Sequence, residues 1–137
     1  MCWSNYIAIP IVLKKPLKVY KVGKLTTSGS FKSPYQNFVY NKSKTVPTVE
    51  IDPKFTRYHT FRIFDPSWVR DSFCINEGYH SYLTKKMARY RRAQYEEVGM
   101  FEIPAGSTIY VNYKYEEVVS TDIKYLELLE CRDLCDK

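Results

Sequence analysis

The sequence predicts a single α+β domain, a mostly antiparallel sheet with one principal helix, and three stretches predict it. Residues 17–22, Leu-Lys-Val-Tyr-Lys-Val, are rich in β-branched and aromatic types and stop at Gly23, as a strand does. A basic stretch from 85 to about 97 follows Thr84, whose hydroxyl can accept from a first-turn amide, and Leu83, Met87 and Tyr90 form its apolar stripe. Pro104-Ala105-Gly106 then separates two strand-like runs, 100–103 and 108–111, in the manner of a hairpin.

The remaining elements follow in chain order. Ile7, Ile9, Ile11 and Leu13 alternate as a half-buried strand would, but Pro10 lacks an N–H and moves the segment to an edge or a loop. Residues 26–30, Thr-Thr-Ser-Gly-Ser, read as a polar turn. From 31 to 54 the prolines at 34, 47 and 53 allow only loop with short strand pieces. Residues 58–64 alternate His59, Phe61 and Ile63 against Tyr58, Thr60, Arg62 and Phe64, a strand that Asp65-Pro66 ends. Gly99 closes the helix, 117–129 reads first as strand, and 128–137 as a short helix.

With 137 residues and 45% apolar content the chain supports one core, so residues 1–137 form a single domain. The apolar tract 6–13 is too short for a bilayer, is interrupted by Pro10, and has neither a cationic run before it nor a small-residue cleavage site after it. The expectation is a soluble cytoplasmic protein without membrane contact. Cys2, Cys74, Cys131 and Cys135 lack the paired spacing of a disulfide framework or a zinc ribbon, which fits a reduced compartment and no metal. On a helical tail Cys131 and Cys135 would share a face, but two thiols alone do not complete a site.

The net charge of +6 is uneven: residues 1–68 carry 11 Lys/Arg against three Asp/Glu, and residues 69–137 carry 10 against 12. A basic balance permits a polyanionic partner without demanding one. The helix concentrates Lys85, Lys86, Arg89, Arg91 and Arg92, with Tyr90 and Tyr95 interleaved. Lys85, Arg89 and Arg92 share a face at helical spacing and are the candidate contacts to phosphates; the plainer reading is a solvated helix face. His80 reads as an acid/base or ligand-orienting group, or more plainly as a packed histidine at a strand end. Thirteen tyrosines exceed the needs of a small core, and Tyr110, Tyr113 and Tyr115 are the first place to look for exposed contact area.

The order of motifs carries a resemblance. A strand with Tyr20-Lys21-Val22-Gly23 is followed by Glu77-Gly78-Tyr79-His80-Ser81-Tyr82 leading into a helix, then a Pro-x-Gly turn, then a strand opened by Glu116-Glu117. That order resembles ADP-ribosyltransferase-like half-barrels, which implies a strongly curved sheet. It further implies that Tyr20 and Lys21 stand where the family grips its dinucleotide, that Ser81 stands in its Ser-rich strand beside His80 and Tyr82, and that Glu117 stands as the catalytic glutamate of a transferase using NAD. Three departures accompany it: Lys21 replaces an arginine and loses the bidentate fork, only Ser81 keeps the Ser-Thr-Ser residue type, and Glu116-Glu117 replaces Glu-x-Glu, so only one of the two can enter a cleft.

A second resemblance covers more of the chain. Val19-Tyr20-Lys21-Val22, Ser33-Pro34-Tyr35-Gln36, Glu77 to Tyr82, Ile103 to Ser107 and Val119-Ser120 resemble small uncharacterised proteins of gut Bacteroidetes and their phages. Together the resemblances imply a phage or mobile-element accessory protein in the host cytoplasm with a counter-defence role. It would act by binding more than by catalysis, its ligand a nucleotide-type molecule or a host nucleic-acid or protein complex. Tyr20, Lys21, His80, Ser81, Tyr82 and Tyr110 would line the ligand site, and no cofactor is expected unless the NAD reading holds. The alternatives are an active ADP-ribosyltransferase working through Glu117, and a structural or virion-associated protein without a ligand.

Overall fold

The structure, a computed structural model, describes residues 10–33, 38–44, 46–51, 54–59, 69–74, 78–92, 96–113 and 115–130, with backbone alone at 54–59, 69–74 and 130. In chain order the elements are β1 (Ile11–Val12), β2 (Leu17–Leu25), β3 (Phe31–Lys32), β4 (Val39–Tyr40), β5 (Lys54–His59) and β6 (Val69–Cys74). They continue as β7 (Tyr79–Tyr82), α1 (Lys85–Arg91), β8 (Glu97–Ile103), β9 (Thr108–Asn112), β10 (Glu117–Ser120) and β11 (Lys124–Glu130). Nine strands form one sheet, all of its pairings antiparallel, while β5 and β6 pair with each other in register Lys54↔Cys74. The domain is therefore α+β and sheet-dominated, with a single helix among the described residues.

The long strand β2 organises the sheet. One edge pairs with β8 from Leu17↔Ile103 to Gly23↔Glu97. The other edge meets β7 at Tyr20↔Tyr82 and β3 at Lys24↔Lys32 and Leu25↔Phe31. Beyond β7 lie β10, β9 and β1, and beyond β8 lies β11. The strand order is open, and no pairing among the described residues closes it into a barrel; the strong half-barrel curvature expected from the motif order is not established by these pairings.

Two further expectations are corrected. Residues 100–103 and 108–111 do not form a hairpin: β8 pairs with β2 and β11, and β9 pairs with β10 and β1. The turn at Pro104-Ala105-Gly106 exists, but Leu13 takes the hydrogen bonds a hairpin partner would make, its N–H donating to the Ser107 carbonyl at 2.9 Å and its carbonyl accepting from Gly106 N–H at 2.7 Å. The helix is also shorter than expected, ending at Arg91, because Arg92 has extended backbone (φ −68°, ψ 135°) and Glu97 already opens β8. Its start agrees with the sequence, since Thr84 Oγ1 accepts from Met87 N–H at 3.2 Å. Residues 128–130 belong to β11; Cys2, Tyr95, Cys131 and Cys135, and the expected strand beyond His59, lie outside the described residues. No helix among them is long and apolar enough to cross a membrane.

Alternation along the strands gives the sheet two different faces. The larger core lies on one, where Val19, Phe101, Ile103, Ile109, Val111, Val118 and Tyr79 pack under Phe31 and Tyr40 of the β3–β4 hairpin and against Tyr125. Its centre is aromatic: Phe31 meets Phe101 edge-on at 5.3 Å, and Tyr40 meets Phe101 edge-on at 5.0 Å. The Phe31 ring reaches this position over two glycines. A Cβ on Gly23 would lie 2.6 Å from that ring and 2.4 Å from the Lys32 carbonyl oxygen, and one on Gly99 would lie 2.8 Å from the same ring. The opposite face carries α1, whose Ala88 packs against Val22 and Val98 with Tyr20 and Tyr82 alongside.

Candidate functional site

The strand register sets Asn112, Glu117, Tyr82, Tyr20 and Met100 in one cross-sheet row on the α1 face. Glu117 is 9% exposed, and burial pushes its carboxyl up to about 7 while the nearby Arg91 guanidinium pulls it partly back. Near neutral pH this side chain can therefore donate or accept a hydrogen bond. Arg91, at the C-terminal end of α1, holds its guanidinium 5.3 Å from the Tyr115 ring centroid and 5.8 Å from that of Tyr90. Tyr90, on α1, and Tyr113, in the turn after β9, are exposed at 79% and 62%. The resulting surface has aromatic faces, a stacked cation and a titratable carboxyl.

The turn between β9 and β10 is locked to the start of the helix. Glu116 adopts a left-handed backbone (φ 52°), unusual for a residue with a Cβ, and its carbonyl accepts from Leu83 N–H at 2.7 Å. Its carboxylate accepts from Thr84 Oγ1 at 2.9 Å, so the N-cap residue joins α1 to the turn that presents Tyr115 and Glu117. Tyr115 N–H donates to Asn112 Oδ1 at 3.4 Å, completing the turn. Of the two adjacent glutamates, Glu116 thus holds the scaffold and Glu117 enters the strand row.

The sequence-derived site residues divide between the faces. Tyr20, His80, Tyr82, Tyr110 and Glu117 lie on the α1 side by strand alternation; Lys21 and Ser81 lie on the other, inside the main core. Tyr110 is buried against Val119 and Ile51, away from the Glu117 row. His80 pairs with Val119 across the sheet, and burial, reinforced by the Lys21 charge, lowers its imidazole to about 3. It stays neutral at physiological pH and is a poor acid/base there. Ser81 is 1% exposed, and its Oγ has no hydrogen-bond partner among the described residues. Lys21 donates from Nζ to the His80 carbonyl oxygen and faces the Tyr40 and Phe101 rings.

Among the candidate phosphate contacts Arg89 is exposed, Lys85 and Arg92 are half-buried, and Arg92 sits past the helix end, so it does not extend the Lys85–Arg89 face. Arg91 was visible in the sequence only as one of five cations on the helix. What distinguishes it is the Tyr115 ring brought up by the β9–β10 turn, a contact 24 residues away that no local pattern announces. No protein-family model matches the chain, and comparison with curated proteins and with solved structures finds no match either.

Proposed function

We propose that the protein binds a nucleotide-type ligand on the α1 side of the sheet, at the surface made by Tyr90, Arg91, Tyr113, Tyr115 and Glu117. The single observation that carries this reading is the Arg91 guanidinium flanked by two tyrosine rings beside a buried carboxyl. A stacked guanidinium is pre-organised to meet phosphate oxygens, and exposed tyrosine rings give a base a sequence-tolerant stacking surface. Glu117, protonated in about half the molecules near neutral pH, suits the mixed donor and acceptor edge of a base.

The wider role, a phage or mobile-element accessory protein with a counter-defence action on a host nucleic-acid complex, is part of the same proposal and rests on the motif resemblance. The NAD-transferase alternative requires Lys21 and Ser81 beside Glu117, and strand alternation sets them on the other face, which favours binding over transfer. The half-barrel curl also belongs to this proposal. Its support is that β1, at one end of the strand order, and β2, four places along it, are joined by residues 13–16 alone.

Titration with nucleoside mono- and triphosphates and with short RNA and DNA, followed by tyrosine fluorescence across a salt series, tests the reading. The expected result is binding that weakens with salt and falls at least about tenfold in Arg91→Ala and in Tyr115→Leu. Equal affinity in those variants would overturn it.

A further inference from the structure

Glu117 is an enclosed acceptor with no donor among the described residues. It is 9% exposed, and its carboxyl makes no hydrogen bond or ion pair with any of them. Its oxygens are not sealed in, so they are the part of the side chain that a ligand can reach. Asn112, its cross-strand neighbour on β9, has its Oδ1 committed to Tyr115 N–H at 3.4 Å. The Glu117 carboxyl is therefore an acceptor left open at this end of the row. Keeping such a group enclosed without a donor is costly, and a ligand that brings N–H groups recovers that cost.

Arg91 supplies a second anchor at a distance from the first. Its charge acts on the Glu117 carboxyl, yet the two form no ion pair, so each is left to a different part of a ligand. The Tyr115 ring lies 5.3 Å from the guanidinium, and Tyr115 is two residues from Glu117 in the chain. The turn that presents them is fixed, since Glu116 is tied to Thr84 Oγ1 through its carboxylate and to Leu83 N–H through its carbonyl. A fixed acceptor selects among ligands by the number and direction of their donors.

We propose that the ligand of this surface is a guanine nucleotide, whose N1–H and N2–H donate to the two Glu117 oxygens while its phosphate meets Arg91. The proposal rests on the nucleotide reading of the same surface given above. Among the common bases, guanine sets two N–H donors side by side on its pairing edge, and a carboxylate matches them with both oxygens. Adenine and cytosine set one donor beside a ring-nitrogen acceptor, and uracil sets its one N–H between two carbonyls. Each of these turns a lone pair toward the second carboxylate oxygen, which opposes it. The match needs the ionised carboxyl, which predominates above the value of about 7 to which burial raises it. Asn112 on β9, Tyr82 on β7 and Tyr20 on β2 share its row, Tyr115 and Glu116 share its turn, and Arg91 comes from α1. Of these, the Arg91 charge is the one that acts on it.

Isothermal titration calorimetry of the whole chain with GMP, IMP and AMP, at pH 8 and low salt, tests this. IMP keeps N1–H and lacks the N2 amine, so it removes one of the two bonds. The expected order is GMP tightest, IMP about tenfold weaker and AMP weaker again. At pH 6 the advantage of GMP over AMP should narrow, because the neutral acid offers one donor and one acceptor, as adenine requires. In Glu117→Gln the GMP advantage should vanish at both pH values, whereas Arg91→Ala should weaken all three nucleotides alike. GMP binding no tighter than IMP or AMP in the wild type, or a preference that survives Glu117→Gln, would overturn guanine selection while leaving nucleotide binding in place. If none of the three binds, both readings fall. The comparison of GMP with IMP in the wild type needs no variant, so it decides even where Glu117→Gln does not fold.

Discussion

Lys21 and Glu117 stand on opposite faces of one sheet although Glu117 lies in the cross-strand row that passes through Tyr20, the residue next to Lys21. Lys21 follows Tyr20 on β2, Tyr20 pairs with Tyr82, and Tyr82 pairs with Glu117, so Glu117 shares the face of Tyr20 and Lys21 does not. The two side chains therefore act separately, one beside α1 and one beneath the β3–β4 hairpin.

Glu117→Gln should stabilise the protein at alkaline pH. The folded carboxyl is held up at about 7 against an ordinary 4.5, so the native state binds more protons between those values and stability is lost as pH rises through them. His80, lowered by burial, acts in the opposite sense between about 3 and 6.5, so the comparison is made as variant minus wild type. Denaturant unfolding should show no difference in shape below about pH 4.5 and a gain on the order of 1–2 kcal/mol for the variant at pH 8. A variant less stable at pH 8 would mean that the ionised carboxylate has a favourable partner.

Lys21→Met should also stabilise, by about 1–4 kcal/mol at pH 7, the range seen when an apolar chain of similar volume replaces a buried charge. For the wild type the sign is that of a base with a lowered folded value: stability rises with pH from about 7 toward 10.5. Chemical denaturation at pH 7 and 9 checks both, and the gain from the substitution should shrink at the higher pH.

Much of this was legible in the sequence where local chemistry decides. The strand at Leu17–Leu25 follows from its β-branched and aromatic residues, and the start of α1 from the Thr84 hydroxyl. What failed was set by distant contacts: β8 takes β2 and β11 as partners instead of β9, and the backbone turns extended at Arg92 ahead of β8. Alternation separates Lys21 from Tyr20 and Ser81 from His80, but which face is enclosed depends on where α1 and the β3–β4 hairpin land, which no short window encodes.

Gly23→Ala and Gly99→Ala should each destabilise by about 1–3 kcal/mol, because the added methyl meets the Phe31 ring at 2.6 and 2.8 Å in a tightly packed core. Gly23→Ala should be the worse, since its second obstacle is the Lys32 carbonyl, which belongs to the backbone and cannot rotate away. Thermal unfolding of the two variants ranks them; equal midpoints would mean that β3 shifts freely.

Thr84→Ala should lower stability by about 1 kcal/mol through the lost cap at Met87 N–H, and should also loosen the turn at Glu116. Its second effect is read as faster amide exchange at Tyr115 and Glu117, while exchange in β11 stays unchanged.

The most direct test of the account is a chemical-shift map of the labelled protein titrated with a nucleoside triphosphate at low salt. The account predicts shifts concentrated at Tyr90, Arg91, Tyr113, Tyr115 and Glu117, with Lys21 and Ser81 unmoved. Shifts centred on Lys21 and Ser81, or a protein that does not respond at millimolar nucleotide, would contradict it.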